Sequence, residues 1–115
     1  MPVKLALVIR TDLAMGRGKI AAQAAHAAVA AVLVNQHTSD FAAWLHEGQP
    51  KVVLKVGSGD ELEGLCATAV AAALPVEVIR DAGRTQVEPL TATCCAIGPA
   101  ATERVDLVTG RLSLL

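Results

Sequence analysis

Two stretches of the chain gather residues that could handle a negatively charged substrate. In the first, Gly16-Arg17-Gly18-Lys19 opens an alanine-rich segment. A helix starting there would aim free backbone N–H groups, its dipole and two cations at one anion. In the second, Asp81 stands between Arg80 and Arg84. A carboxylate so placed either fixes a turn or orients a water or a basic group, and spacing does not separate the two. At 100° per residue, Lys19, Gln23 and His26 fall within about 60° of arc, a polar stripe on an otherwise apolar cylinder. The stripe reads either as the face of a site or as a hydrogen-bonded core histidine beside a glutamine that ties down a loop. A Walker A loop is excluded, because Ile20 follows Lys19 and Leu13 stands where the first glycine belongs. Gly16, Gly18 and Ala21 do match G-x-G-x-x-A, so a dinucleotide half-domain completed in an oligomer stays an alternative, although the loop from Arg10 is long for a tight turn.

The elements that must position these residues alternate between strands and helices. Residues 3–9 (VKLALVI) form an apolar run that suits a strand buried on both faces. After the glycine loop, residues 19–35 contain no Gly or Pro and predict a long helix. Ser39 or Asp40 can cap a short helix through Glu47 that carries Phe41, Trp44 and Leu45 as core or edge packing. KVVLKV (51–56) is a second strand. Ser58 and Glu61 then spell a capping box before Leu62, Leu65, Cys66, Ala69 and Ala73 on one helical face. VEVIR (76–80) is a third strand, DAGRTQVEP (81–89) a polar loop, residues 93–97 a fourth strand ended by Gly98-Pro99, and residues 101–108 a last helix. This order predicts an α/β layered domain whose crossovers make the first three strands largely parallel. Parallel strands put their carboxyl ends, and the loops that follow, on one edge. Five of the ten basic residues, Arg10, Arg17, Lys19, Arg80 and Arg84, belong to these two loops.

Composition limits the class. With 115 residues the chain is expected to form a single domain over 1–115. Hydrophobic residues make up 53%, which rules out disorder. A net charge of −1 excludes a histone-like or tail-driven polyanion binder, so nucleic-acid contact needs a local basic patch. No apolar run approaches a membrane span and the opening residues lack a cleavable leader, so a cytoplasmic location and no membrane partner are expected. Cys66, Cys94 and Cys95 form no disulfide framework and, with His26, His37 and His46, no ligand spacing. They are expected to be reduced structural thiols, the adjacent pair facing opposite sides of a strand. Neither metal nor cofactor is expected.

Taken together, the segments VIRTDLAMGRGKIAAQAAHAA (8–28), GQPKVVLKV (48–56), LPVEVIRDAGRTQVEP (74–89), AIGPA (96–100) and VDLVTGRLSLL at the end resemble the type II peptidyl-tRNA hydrolase family, in family order over nearly the whole chain. The resemblance implies a three-layer α/β/α fold with a mixed four-stranded sheet, often dimeric. It also implies an enzyme that hydrolyses the ester between a peptide and the 3′ ribose of tRNA, recycling tRNA from aborted translation without a metal. Catalytic positions implied are Lys19, His26, Asp81, Thr85 and Thr93, with Gln23 and Gln86 inside the same motifs. Substrate contacts are expected from Arg10, Arg17, Arg80 and Arg84, and phosphate contacts also from Lys51 and Lys55, whose other reading is a solvated strand margin. The expected chemistry has Asp81, with or without His26, deprotonating a water while Lys19 stabilises negative charge. Thr85 and Thr93 would orient water or substrate through their hydroxyls. Ser39, Ser58 and Ser113 lie outside the site-bearing loops and no G-x-S-x-G exists, so no covalent serine is expected. Arg17, Leu90, Ala92 and the Cys94-Cys95 pair depart from the family pattern and bear on loop geometry. A non-catalytic RNA- or protein-binding module on the same fold is the alternative.

Overall fold

The computed structural model describes residues 2–81 and 90–115. Its elements run β1 (Val3–Arg10), α1 (Arg17–Asn35), α2 (Ser39–His46), β2 (Lys51–Val56), α3 (Gly59–Ala71), β3 (Val76–Arg80), β4 (Ala92–Ala101) and α4 (Thr102–Thr109). They build the three-layer α/β/α arrangement around one mixed sheet in the order β2-β1-β4-β3. β1 pairs with β2 in parallel, and β4 runs antiparallel to both β1 and β3. The first three strands therefore share a direction, but β3 does not touch β1 or β2, because β4 inserts between them. Side-chain content accounts for the order. β1 and β4 are apolar on both faces and take the interior, whereas β2 exposes Lys51 and Lys55 and β3 exposes Val78 and Arg80, as edge strands can.

Period-two alternation along β1 divides the core. Leu5, Leu7 and Ile9 pack with Ala27 and Ala31 of α1 and Trp44 of α2, while Ala6 and Val8 pack with Leu62, Leu65 and Ala69 of α3 and Val105 and Val108 of α4. β4 repeats the division, with Cys94 on the α1 side and Cys95 on the α3 side. All three cysteines are free thiols. Burial pushes the Cys94 thiol up to about 11, and the hydrogen bond with Cys66 together with burial pushes Cys95 up as well.

Several boundaries differ from the sequence reading, each for a local reason. β4 continues through Gly98-Pro99 to Ala101, because the pairing with β1 shifts register between Lys4 and Ala6 and Gly98 adopts φ +114° there. A Cβ on Gly98 would lie 2.7 Å from the Lys4 carbonyl oxygen. Thr38, not Ser39 or Asp40, caps α2: its Oγ1 accepts from the Phe41 N–H at 3.0 Å. The Ser58 cap of α3 is as expected, with Oγ accepting from the Glu61 N–H at 3.0 Å, but the Glu61 carboxylate reaches back to the Gly57 N–H rather than to that of Ser58. Ala73 lies beyond the helix, exposed at φ +60°. In α2, Trp44 is buried with its Nε1 donating to the Pro50 carbonyl at 2.7 Å, while Leu45 is exposed.

Gly98→Ala is expected to lower stability in urea unfolding by about 2 kcal/mol or more, since the added methyl meets backbone in a region unfavourable to L residues. Titration with a disulfide thiol reagent at pH 8 is expected to leave Cys94 and Cys95 unmodified in the folded protein and to reach all three thiols once it is unfolded.

Candidate active site

α1 leaves the loop after β1 and crosses over β4 and β3 on one face of the sheet. Its buried residues are Gln23, Ala27, Ala31 and Asn35, four apart, so this small-residue stripe lies on the strands. Lys19 is one further step of four toward the start of the helix. The polar pair Lys19 and Gln23 is thus the continuation of the packing face, carried past the sheet to its rim.

There Lys19 Nζ donates to Asp81 Oδ1 in a salt bridge that joins positions sixty-two apart, with side chains 12% and 3% exposed. Asp81 directly follows β3, and its backbone is pinned on both sides: its N–H donates to the Thr91 carbonyl at 2.8 Å, and its carbonyl accepts from the Leu90 N–H at 2.7 Å. Behind the salt bridge, the Thr93 hydroxyl donates to Gln23 Oε1 at 2.8 Å, and Cys94 Sγ lies 3.4 Å from the Gln23 carbonyl oxygen. Gln23 therefore ties α1 to β4, not to a loop, and both polar partners are buried. The two buried polar groups satisfy each other, which fixes the helix against the strand and with it the ammonium against the carboxylate.

The expected residues separate into three groups. Lys19, Gln23, Asp81 and Thr93 are brought together. His26 follows on the same helix but is exposed, and among the described residues its side chain makes no hydrogen bond or ion pair. The reading of a hydrogen-bonded core histidine is therefore wrong, because the helix turns position 26 off the four-residue packing ladder toward solvent. Arg84, Thr85 and Gln86 lie outside the described residues.

The cations expected on the rim also divide. Arg17 is exposed in the first turn of α1, and exposed Arg80 sends Nη1 to the Leu90 carbonyl at 3.3 Å. Arg10 is bidentate to Asp12, Nε to Oδ1 at 3.0 Å and Nη2 to Oδ2 at 2.7 Å, and its Nη1 donates to the Ala92 carbonyl at 3.1 Å. The paired hydrogen bonds with Asp12 raise the Arg10 pKa and hold the Asp12 carboxyl below the usual carboxylate range. Sequence reasoning did not single out Gly59, where a Cβ would come within 2.9 Å of Arg10 Nη1; a glycine after a helix cap carries no signal of a distant guanidinium. Lys51 departs from expectation. Its register partner is Leu5, near the start of β1, so it sits at the opposite end of the sheet, with Nζ 5.6 Å from the Trp44 ring centroid and donating to the Gln49 carbonyl.

Among the described residues no helix is long and apolar enough to cross a membrane, and no three His, Cys, Asp or Glu side chains cluster as metal ligands would.

Residues 3–115 match the family model described as Peptidyl-tRNA hydrolase PTH2, and the chain belongs to that family. It is 53% identical to the peptidyl-tRNA hydrolase of Sulfurisphaera tokodaii over all of both chains. It is 51% identical to that of Metallosphaera sedula and 49% identical to that of Sulfolobus acidocaldarius, in each case over 98% of this chain and all of the relative.

Breaking the buried pair should strand a charge. Asp81→Asn and Lys19→Met are each expected to cost about 3 kcal/mol in chemical unfolding, with the double variant losing much less than the sum. Thr93→Val, which leaves Gln23 Oε1 without its donor, is expected to cost about 1–3 kcal/mol.

Proposed function

We propose that the chain hydrolyses the ester bond between the peptide and the 3′ ribose of peptidyl-tRNA, releasing peptide and tRNA. The observation that carries this reading is the buried Lys19–Asp81 pair at the carboxyl edge of the sheet, backed by the Gln23–Thr93 hydrogen bond, all four being residues that the family resemblance implies. The relatives, themselves named peptidyl-tRNA hydrolases, support the same substrate.

Ester hydrolysis needs an activated water, a stabilised oxyanion and a proton for the leaving ribose oxygen. Asp81 takes a proton from water as its oxygen bonds to the ester carbonyl carbon. The ammonium of Lys19 stabilises the oxyanion that forms. When the intermediate collapses, the bond to the ribose oxygen breaks, and Asp81 returns the proton to that oxygen, so one carboxylate serves both steps. Gln23 and Thr93 act by fixing α1 on β4. His26, seven residues from Lys19 and therefore about 10 Å along the helix axis, contacts substrate from the solvent side instead of sharing the water with Asp81. Thr85 and Gln86 keep the water- and substrate-orienting roles the resemblance implies. Arg10, Arg17, Arg80 and Arg84 meet tRNA phosphates. The reaction uses no metal or cofactor, and the protein works in the cytoplasm as a single domain over 1–115.

Two copies associate, as the resemblance implies. Val29 and Leu33, one turn apart on α1 and 56% and 66% exposed, support this by offering apolar surface. Leu33→Glu should then shift the sedimenting species from dimer to monomer.

Purified protein should release peptide from a peptidyl-tRNA and leave aminoacyl-tRNA with a free amine largely intact. Asp81→Asn and Lys19→Ala should each lower kcat by about 10²–10⁴-fold, with circular dichroism confirming the fold. Turnover close to that of the unaltered protein in both variants would overturn the assignment, and tight tRNA binding with no turnover in the unaltered protein would favour a non-catalytic module.

A further inference from the structure

We infer that a cleft at the end of β2 is a second substrate subsite, in which Lys55 and Arg111 hold a backbone phosphate of the bound tRNA; this rests on the peptidyl-tRNA reading above. The cleft has a volume of about 320 Å³ and lies on the same carboxyl edge as the Lys19–Asp81 pair, at the far end of the strand order. That is room for a phosphate group with its waters, each water filling about 30 Å³ in the liquid.

Its walls are held by backbone. The segment after α4 folds back along β2, with the Lys55 N–H donating to the Ser113 carbonyl, the Leu115 N–H to the Val53 carbonyl, both at 3.0 Å, and Leu114 bridged antiparallel to Leu54. On the opposite side Thr11, after β1, sends both its N–H and its hydroxyl to the Val56 carbonyl, at 3.0 and 3.2 Å. This return of the chain is what brings Arg111 to the wall that Lys55 shares.

The charges favour an anion. Three cations elsewhere are neutralised by carboxylates, Lys4 by Asp106, Arg10 by Asp12 and Lys19 by Asp81, while Arg80, Arg104 and Lys51 donate to backbone carbonyls. Among the described residues neither Lys55 nor Arg111 is in a salt bridge, and both are exposed. One carboxylate, Glu61, also lines the cleft, and its Oε2 is engaged by the Gly57 N–H at 2.7 Å. Two cations against one carboxylate leave the cleft positive. From β3 to β2 is three strand spacings, about 14 Å, a distance that a few nucleotides of the substrate's 3′ end bridge while the ester lies at Asp81.

The test compares the double variant Lys55→Gln/Arg111→Gln with unaltered protein on two substrates, a full-length peptidyl-tRNA and an N-blocked aminoacyl ester of a single nucleoside. On the full substrate KM should rise about five- to tenfold with kcat unchanged, and the salt dependence of log(kcat/KM) should flatten by about 0.7–0.9, the contribution of one phosphate no longer neutralised. The short ester should be cleaved at the unaltered rate. Lys51→Gln, at the opposite end of the sheet, should change neither KM nor slope. Unchanged KM and salt slope in the double variant, with full-length substrate still cleaved, would overturn the subsite alone. Failure of the unaltered protein to cleave either substrate would overturn the hydrolase reading and the subsite with it.

Discussion

A salt bridge withdrawn from solvent, between the first turn of α1 and the residue just after β3, is the constraint on which the rest of the molecule turns. Desolvating both ions offsets most of their attraction, so the pair adds little net stability while making the loss of either partner costly. Its value is geometric. It fixes an ammonium and a carboxylate side by side at the rim of the sheet. The fold supports it through the four-residue ladder of α1, where small side chains let the helix lie close on the sheet and the same ladder delivers Gln23 and Lys19 as the helix passes beyond the strands. The Thr93–Gln23 bond locks that helix in rotation as well as position.

The antiparallel insertion of β4 is the second condition. Had β3 paired directly with β1, α1 would have had one strand to cross. With β4 between them, it spans β4 and reaches β3, which sets its start near Asp81. β4 also separates the two cores cleanly, since alternate residues serve opposite faces and even adjacent cysteines lie in different hydrophobic layers.

Electrostatics work locally in a chain whose charges nearly cancel. Carboxylates neutralise Lys4, Arg10 and Lys19, and an aromatic ring lies under Lys51 at the far end of the sheet. Of the described cations without such partners, Lys55 and Arg111 lie where β2 ends, Arg17 and Arg80 on the surface around α1 and β3, and Arg104 on α4 against the Ala72 and Ala73 carbonyls. A polyanion held by such a rim is oriented before any chemistry begins, and its binding weakens as salt rises.

Much of this was legible in the residues. The alternation of apolar strands with capped helices defined the layers, and the motif order from Val8 to Leu115 identified the family. Period-two alternation alone separated Cys94 from Cys95. The strand order was not legible, because crossover rules fix direction while burial on both faces, a property of the assembled sheet, decides which strands lie inside. Nor could spacing choose between a turn-fixing and a chemical Asp81, or between a buried and an exposed His26. Those choices depend on a helix and a strand end sixty-two residues apart arriving at one point, and on which side of α1 the sheet covers. Sequence determined which groups were available and on which element each would ride; the tertiary structure decided which of them meet, because short-range periodicity places a side chain on a face, whereas only packing brings two faces together.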